Sequence, residues 1–99
     1  MNSATHREIF HIAASHAVLP GHFPGNPIVP GVILLDRVAA AVERVWGLHI
    51  AGLPQVKFLR PLLPDQAAEL NLVHVGKNIR FSIVHADATV ANGTIEVAV

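Results

Sequence analysis

A segment in the first third of the chain brings together residue types that perform acid–base chemistry. It runs Gly21-His22-Phe23-Pro24-Gly25-Asn26-Pro27-Ile28-Val29-Pro30-Gly31-Val32-Ile33-Leu34-Leu35-Asp36. His22 lies among prolines and glycines that predict a stiff loop, where little entropy is lost in aiming its side chain. An imidazole takes up and returns protons near neutral pH. His22 is therefore a candidate general base.

Gly31 and Asp36 supply the two other groups that such a reaction needs. Gly31 falls in the first turn of a predicted helix, where backbone N–H groups have no acceptor within the helix and a missing side chain lets a ligand carbonyl approach. Asp36 follows four apolar residues, where we expect desolvation to favour the protonated, proton-donating form of a carboxyl group. The three groups suit removal of a proton beside a carbonyl, stabilisation of the enolate oxygen and protonation of a leaving hydroxyl.

Structural roles explain the same residues without chemistry. A loop histidine is usually a hydrogen-bonding residue, Pro30 and Gly31 can simply start the helix, and Asp36 can pair with Arg37 at a surface. From the residue types alone, these structural roles are favoured.

One long helix must position Gly31 and Asp36. Pro30 suits the first helical position, because its missing N–H would be unpaired there, and Gly47 suits the left-handed residue beyond the end. The sequence therefore predicts a helix over residues 30–46. Apolar residues surround most of its amino-terminal half, which we expect to be buried.

Strands are predicted on both sides of this helix, with a proline-rich loop over residues 19–31. They cover residues 5–14, 55–59, 70–75 and 81–85, and a hairpin at Asn92-Gly93 leads into a last strand. The order of strand, loop, buried helix and antiparallel strands predicts one α+β domain over residues 1–99, with the helix against one face of the sheet.

Composition excludes several classes of function. Hydrophobic residues make up 52% of the 99 residues and charged residues only 14%, so we expect a folded chain whose apolar surface is covered by a second copy. Seven basic residues balance seven acidic ones, which disfavours a nucleic-acid partner, and the absence of cysteine excludes thiol chemistry. The seven histidines show no common metal-ligand spacing. No apolar run is long enough to span a bilayer, and a cytoplasmic location is expected.

Two motifs in this sequence resemble those of the β-hydroxyacyl-acyl-carrier-protein dehydratases of the FabA/FabZ type. The pattern H-F-x-x-x-P-x-x-P-G, with an acidic residue five positions later, is matched by His22, Phe23, Pro27, Pro30, Gly31 and Asp36. The pattern F-x-R-P-x-x-P is matched by residues 58–64. Residues 30–37 are more similar to the short dehydratases of aryl-polyene or related pathways.

The resemblance implies a hot-dog fold, in which an antiparallel sheet wraps around one long helix, and a homodimer or an oligomer of dimers. It also implies that His22 and the Gly31 N–H come from one subunit and Asp36 from the other. Helical geometry is compatible, because five residues turn the helix by about 140°. The implied substrate is a (3R)-hydroxyacyl chain on acyl carrier protein, with no metal or redox cofactor. The substrate-binding residues would be Phe23, Pro30, Val32, Ile33, Leu35 and Phe58.

The sequence departs from the family at three points. Ala40 replaces a glutamine that helps to fix the acid in many members, Asp65 replaces a common glycine after the second motif, and the usual helical segment before the first strand is missing. A hot-dog acyl thioesterase that uses Asp36 and a non-catalytic acyl-chain or carrier-binding module are the two alternatives. Lys57, Arg60, Arg37 and Arg44 are candidate contacts for an acidic carrier protein.

Overall fold

The computed structural model describes residues 4–14 and 28–98, which form one helix and five strands. The elements are β1 (Thr5–Phe10), α1 (Gly31–Trp46), β2 (His49–Phe58), β3 (Ala68–Val75), β4 (Asn78–His85) and β5 (Ala88–Ala98). The strands form a single antiparallel sheet in the order β1-β3-β4-β5-β2, and α1 packs against one face of it. This arrangement confirms the predicted α+β architecture.

The helix α1 begins one residue later than predicted. Pro30 has the extended conformation of a capping residue (φ −60°, ψ 144°), so the first helical residue is Gly31. At the other end Gly47 takes the predicted left-handed conformation (φ 66°), and its N–H donates to the Glu43 carbonyl at 2.8 Å. Val32 is 60% exposed, so the amino-terminal half is not buried on all sides as the sequence predicted.

The core lies between α1 and the inner row of strand side chains. Alternate residues of the central strands point toward the helix, as strand geometry requires. The buried members of the core include Ile33, Leu34, Val38, Ala41 and Val42 of α1 and Leu70, Leu72, Ile79, Phe81, Ile83 and Ile95 of the sheet. Each large apolar side chain buried in this way contributes about 1.5–3 kcal/mol, so this row holds α1 against the sheet.

The hairpin predicted at Asn92-Gly93 is wrong. β5 runs straight through both residues, and β4 turns into β5 at Ala86-Asp87, whose φ angles of 49° and 64° are typical of a type I′ turn. Gly93 instead lies within β5 at a point where neighbouring groups leave no room for a side chain. A Cβ at this position would collide with the Gln55 backbone oxygen and would lie 2.8 Å from the Phe81 ring.

Strand boundaries also differ from the predictions, since β3 begins two residues early at Ala68 and β4 three residues early at Asn78, and the differences at β1 and β2 are larger. β1 ends at Phe10, four residues early, and β2 begins at His49, six residues early. β2 pairs with β5 through two irregularities, between Ile50 and Gly52 and between Gly52 and Gln55, which break the alternation that the prediction relied on. Within residues 4–14 and 28–98, no helix has the length and apolar character needed to cross a membrane.

Candidate active site

A cleft of about 370 Å³ opens at the start of α1, and we call it the helix-start cleft. Pro30, Gly31 and Phe58, three of the predicted site residues, lie in its wall. Phe58 reaches this position because it pairs with Ala91 at the end of β2 and shares the helix-facing side of the sheet. A Cβ on Gly31 would lie 2.6 Å from Cζ of the Phe58 ring. Only glycine fits here without moving that ring.

The backbone of the first helical turn lies in the wall of this cleft, where its leading N–H can serve as a hydrogen-bond donor. Intrahelical bonding begins with the N–H groups of Ile33 and Leu34, which donate to the Pro30 carbonyl at 3.0 and 3.4 Å. Among the residues that the structure describes, no backbone carbonyl accepts the Gly31 N–H. The positive end of the helix dipole adds to the attraction for a developing negative charge. These are features that an oxyanion site requires, so Gly31 is a candidate donor for one.

A backbone hydrogen bond joins the two sequence motifs at the helix-start cleft. The Val29 N–H donates to the Leu62 carbonyl at 2.8 Å, and both residues are buried. The segment after β2 is thereby fixed beside the segment that enters α1. Leu59, Arg60 and Pro61 of the second motif complete the cleft wall.

Asp36 lies in a different cleft, of about 280 Å³, which we call the acid cleft. It is lined by His11, Ile12, Ala13, Ile33, Asp36 and Arg37, and it shares no residue with the helix-start cleft. The Asp36 side chain is exposed in the single chain. The desolvation expected from the four preceding apolar residues is therefore not supplied by its own chain.

The other predicted site residues are dispersed. Ile33 is buried beneath the acid cleft, Val32 is exposed, and Leu35 packs against the core. A single chain therefore does not line one tunnel with Val32, Ile33, Leu35 and Phe58. His22 and Phe23 lie outside the described residues.

His11 is a residue of interest that the sequence reasoning did not single out, because strand spacing alone does not reveal that the chain after β1 passes beside Asp36. Asp65 was noted as a departure, and the structure shows that it adopts a left-handed backbone (φ 66°), which glycine and, less readily, aspartate accept. The turn geometry usual for glycine is therefore kept.

The predicted cationic residues divide into two groups. Arg44 makes an ion pair with Glu8, and the Arg37 guanidinium lies 5.3 Å from the centre of the Phe10 ring. Lys57 and Arg60 flank the exposed tip of β2 beside Phe58. Arg60 is the member of this pair that lines the helix-start cleft, whereas Lys57 is next to Phe58 on β2, where neighbouring side chains point to opposite faces of the sheet.

Solved structures with the same architecture define the class of fold. A structure described as the dehydratase heterocomplex ApeI:P from Xenorhabdus doucetiae superimposes with a TM-score of 0.84 and 24% identity, over 95% of each chain. The (R)-hydratase from A. caviae, described as involved in PHA biosynthesis, gives a TM-score of 0.80 with 14% identity, over 100% of this chain and 96% of its own. These neighbours confirm the hot-dog fold.

Sequence comparison then identifies the family. The ApeI-like family model, described as ApeI dehydratase, matches residues 2–94. The chain belongs to the ApeI-like dehydratase family, which confirms the resemblance seen in the two motifs. The 3-hydroxyacyl-acyl-carrier-protein dehydratase FabZ of Haemophilus influenzae is 34% identical over 99 residues, which cover 90% of this chain and 66% of that protein. The chain thus spans about two thirds of the length of this curated relative.

Proposed function

We propose that this protein removes water from (3R)-hydroxyacyl thioesters carried on acyl carrier protein, giving trans-2-enoyl thioesters. The observation that carries the proposal is the position of Gly31 at the start of α1, in the cleft wall of a chain from a dehydratase family, where its N–H would polarise a substrate carbonyl. The relative from Haemophilus influenzae is named for this activity. The proposed chemistry needs only an acid, a base and a hydrogen-bond donor.

Each of the three groups has a defined step in the reaction. The His22 imidazole takes the proton from C2, while the Gly31 N–H stabilises the negative charge that develops on the thioester oxygen. The bond from C3 to oxygen then breaks, and Asp36 gives its proton to the departing hydroxyl, which leaves as water. The imidazolium and the carboxylate return to their starting forms when His22 releases its proton and Asp36 takes one up.

The separation of the two clefts supports a site built from two subunits. The helix-start cleft would supply Gly31 and His22, and the acid cleft of a second copy would supply Asp36. β2 lies at an edge of the sheet, with its outer backbone groups unpaired within the described chain, and Leu53 on it is 46% exposed. We infer that a second copy covers this edge. A different hot-dog chain is the alternative occupant, since the Xenorhabdus structure is described as a heterocomplex.

The charges beside the helix-start cleft support an acidic carrier protein as the partner that delivers substrate. Arg60 is exposed and lines the cleft, and Lys57 is exposed on β2 one residue before Phe58. Cations at the rim of a site speed the approach of an acidic partner. The cytoplasmic location stays a prediction.

The test is mass spectrometry of a 3-hydroxyacyl-pantetheine thioester incubated with the wild-type protein and with Asp36→Asn. We expect the wild type to remove one water and the variant to be slower by at least about a hundredfold, because a general acid typically contributes that much. Circular dichroism and the oligomeric mass of the variant should match those of the wild type. Release of free acid and thiol would select the thioesterase, and binding without turnover would select the acyl-binding module.

A further inference from the structure

The acid cleft contains a titratable residue that the proposed reaction does not use. His11 and Asp36 lie in the wall of the same small cleft, one on the chain after β1 and the other on the second turn of α1. Both side chains are exposed in the single chain. Within residues 4–14 and 28–98, no group makes a hydrogen bond to the Asp36 carboxyl in the conformation described. Among these residues the acid has no partner that fixes its orientation, and His11 is a potential donor in the wall of the same cleft.

The backbone around His11 is held firmly in place. The residues on either side of it, Phe10 and Ile12, are each only 4% exposed and are part of the core. On the carboxyl-terminal side of His11, the Asp65 N–H donates to the Ile12 carbonyl at 2.8 Å, and the Asp65 carboxylate accepts the Ala14 N–H at 3.3 Å. His11 is thus carried by a segment fixed from both sides, so that aiming its ring costs little entropy.

The other charged group in the acid cleft is engaged elsewhere. Arg37 adjoins Asp36 in sequence, and adjacent helical residues do not face each other. Its guanidinium lies 5.3 Å from the centre of the Phe10 ring, in the geometry of a cation–π contact. His11 is therefore better placed than Arg37 to hydrogen-bond the Asp36 carboxyl.

We propose that His11 is a positioning residue whose ring N–H holds the Asp36 carboxyl in the orientation needed to protonate the departing hydroxyl. The inference rests on the proposed function of Asp36 as the acid. It adds His11, on the same subunit, as the residue that positions this acid. An acid held in its reactive geometry acts more efficiently than one that rotates freely, and a small misplacement can cost up to about a hundredfold in rate.

The kinetic test compares His11→Ala, His11→Gln and Lys77→Ala on a 3-hydroxyacyl-pantetheine thioester. We expect His11→Ala to lower kcat about tenfold with little change in KM, because the acid acts only in the transition state. His11→Gln keeps an N–H donor and should recover most of the lost kcat. Lys77, an exposed residue in the turn between β3 and β4 that lines neither cleft, is the control and should leave kcat unchanged. A merely structural role for His11 would lower the thermal stability of both His11 variants and would not be rescued by glutamine.

A second measurement does not depend on turnover. The side-chain carboxyl carbon of Asp36 is followed by NMR at fixed pH in the same variants. Its resonance should move in His11→Ala and stay in place in Lys77→Ala. An unmoved resonance together with an unchanged kcat would overturn the role of His11. If the resonance moves in His11→Ala but the wild-type protein does not dehydrate the thioester, the proposed function is refuted while the contact between His11 and Asp36 still stands.

Discussion

Gly31 combines two properties at one position: it begins α1 in the wall of the helix-start cleft, and a Cβ added to it would meet the Phe58 ring. The ring is 53% exposed, and the atoms nearest to an added methyl group belong to its far end. A side chain at position 31 can therefore be accommodated by swinging the ring outward. A substitution at Gly31 should therefore lower activity, through the cleft, more than it lowers the stability of the fold.

We expect Gly31→Ala to lower kcat at least about tenfold while reducing the free energy of unfolding by less than about 1 kcal/mol, the lower end of the usual cost of overpacking. The methyl group crowds the carbonyl site and displaces one wall of the cleft. Urea unfolding and steady-state kinetics on the pantetheine thioester measure the two effects. Adding Phe58→Ala should relieve the crowding, so the effects of the two changes on stability should not add. A Gly31→Ala protein with wild-type kcat would rule out an oxyanion role for this N–H.

Among the elements, β5 shows how a local signal is overridden by the sheet. Asn-Gly is a strong hairpin signal because both residues accept positive φ. The turn is instead made by Ala86 and Asp87, and Gly93 lies between the Gln55 backbone and the Phe81 ring. One of the groups that exclude a side chain at Gly93 is the Gln55 backbone oxygen, which cannot rotate away as a side chain can.

Gly93→Ala should therefore destabilise the protein by about 3 kcal/mol or more, at or beyond the upper end of overpacking effects. Gly52→Ala in β2 is the matched control, because its nearest atoms would lie 3.7 Å or more from an added Cβ, an ordinary contact. We expect that control to stay within about 0.5 kcal/mol of the wild type. Chemical denaturation of the two variants makes the comparison, and equal midpoints would contradict the packing explanation.

Elements that depend on interactions between residues close in sequence were predicted better than elements that depend on contacts between distant residues. The helix and its Gly47 end depend on local patterns and were predicted to within one residue. The alternating strands β3 and β4 were also found from local patterns, with starts two and three residues late. The beginning of β2 and the course of β5 depend on contacts between strands distant in sequence, and local patterns missed both. In the same way the motifs singled out Gly31 and Asp36 as candidates, whereas His11 became a candidate only when the fold placed the chain after β1 in the same cleft as Asp36.

For the whole molecule, the separate positions of Gly31 and Asp36 predict that two inactive variants can restore each other. His22→Ala and Asp36→Asn are each expected to be inactive. Refolded together in equal amounts, they should regain about a quarter of the wild-type activity, because about half of the dimers are mixed and each mixed dimer has one intact site. Activity is measured on the pantetheine thioester, with each variant refolded alone as the control. No recovery despite mixed dimers in native mass spectrometry would place all three groups in one chain.

The two edges of the sheet also differ in how far side-by-side growth can proceed. An unpaired strand edge is a template for aggregation. β1 at one edge has only six residues and carries Arg7 on its exposed face, whereas β2 at the other edge has ten residues, with Pro54 and two irregularities along it. If two chains paired through β2, their long edges would be covered. The short strand β1, which carries Arg7, would then form each outer edge of the dimer. The asymmetry of the sheet would then let the chain associate once while resisting growth into fibres.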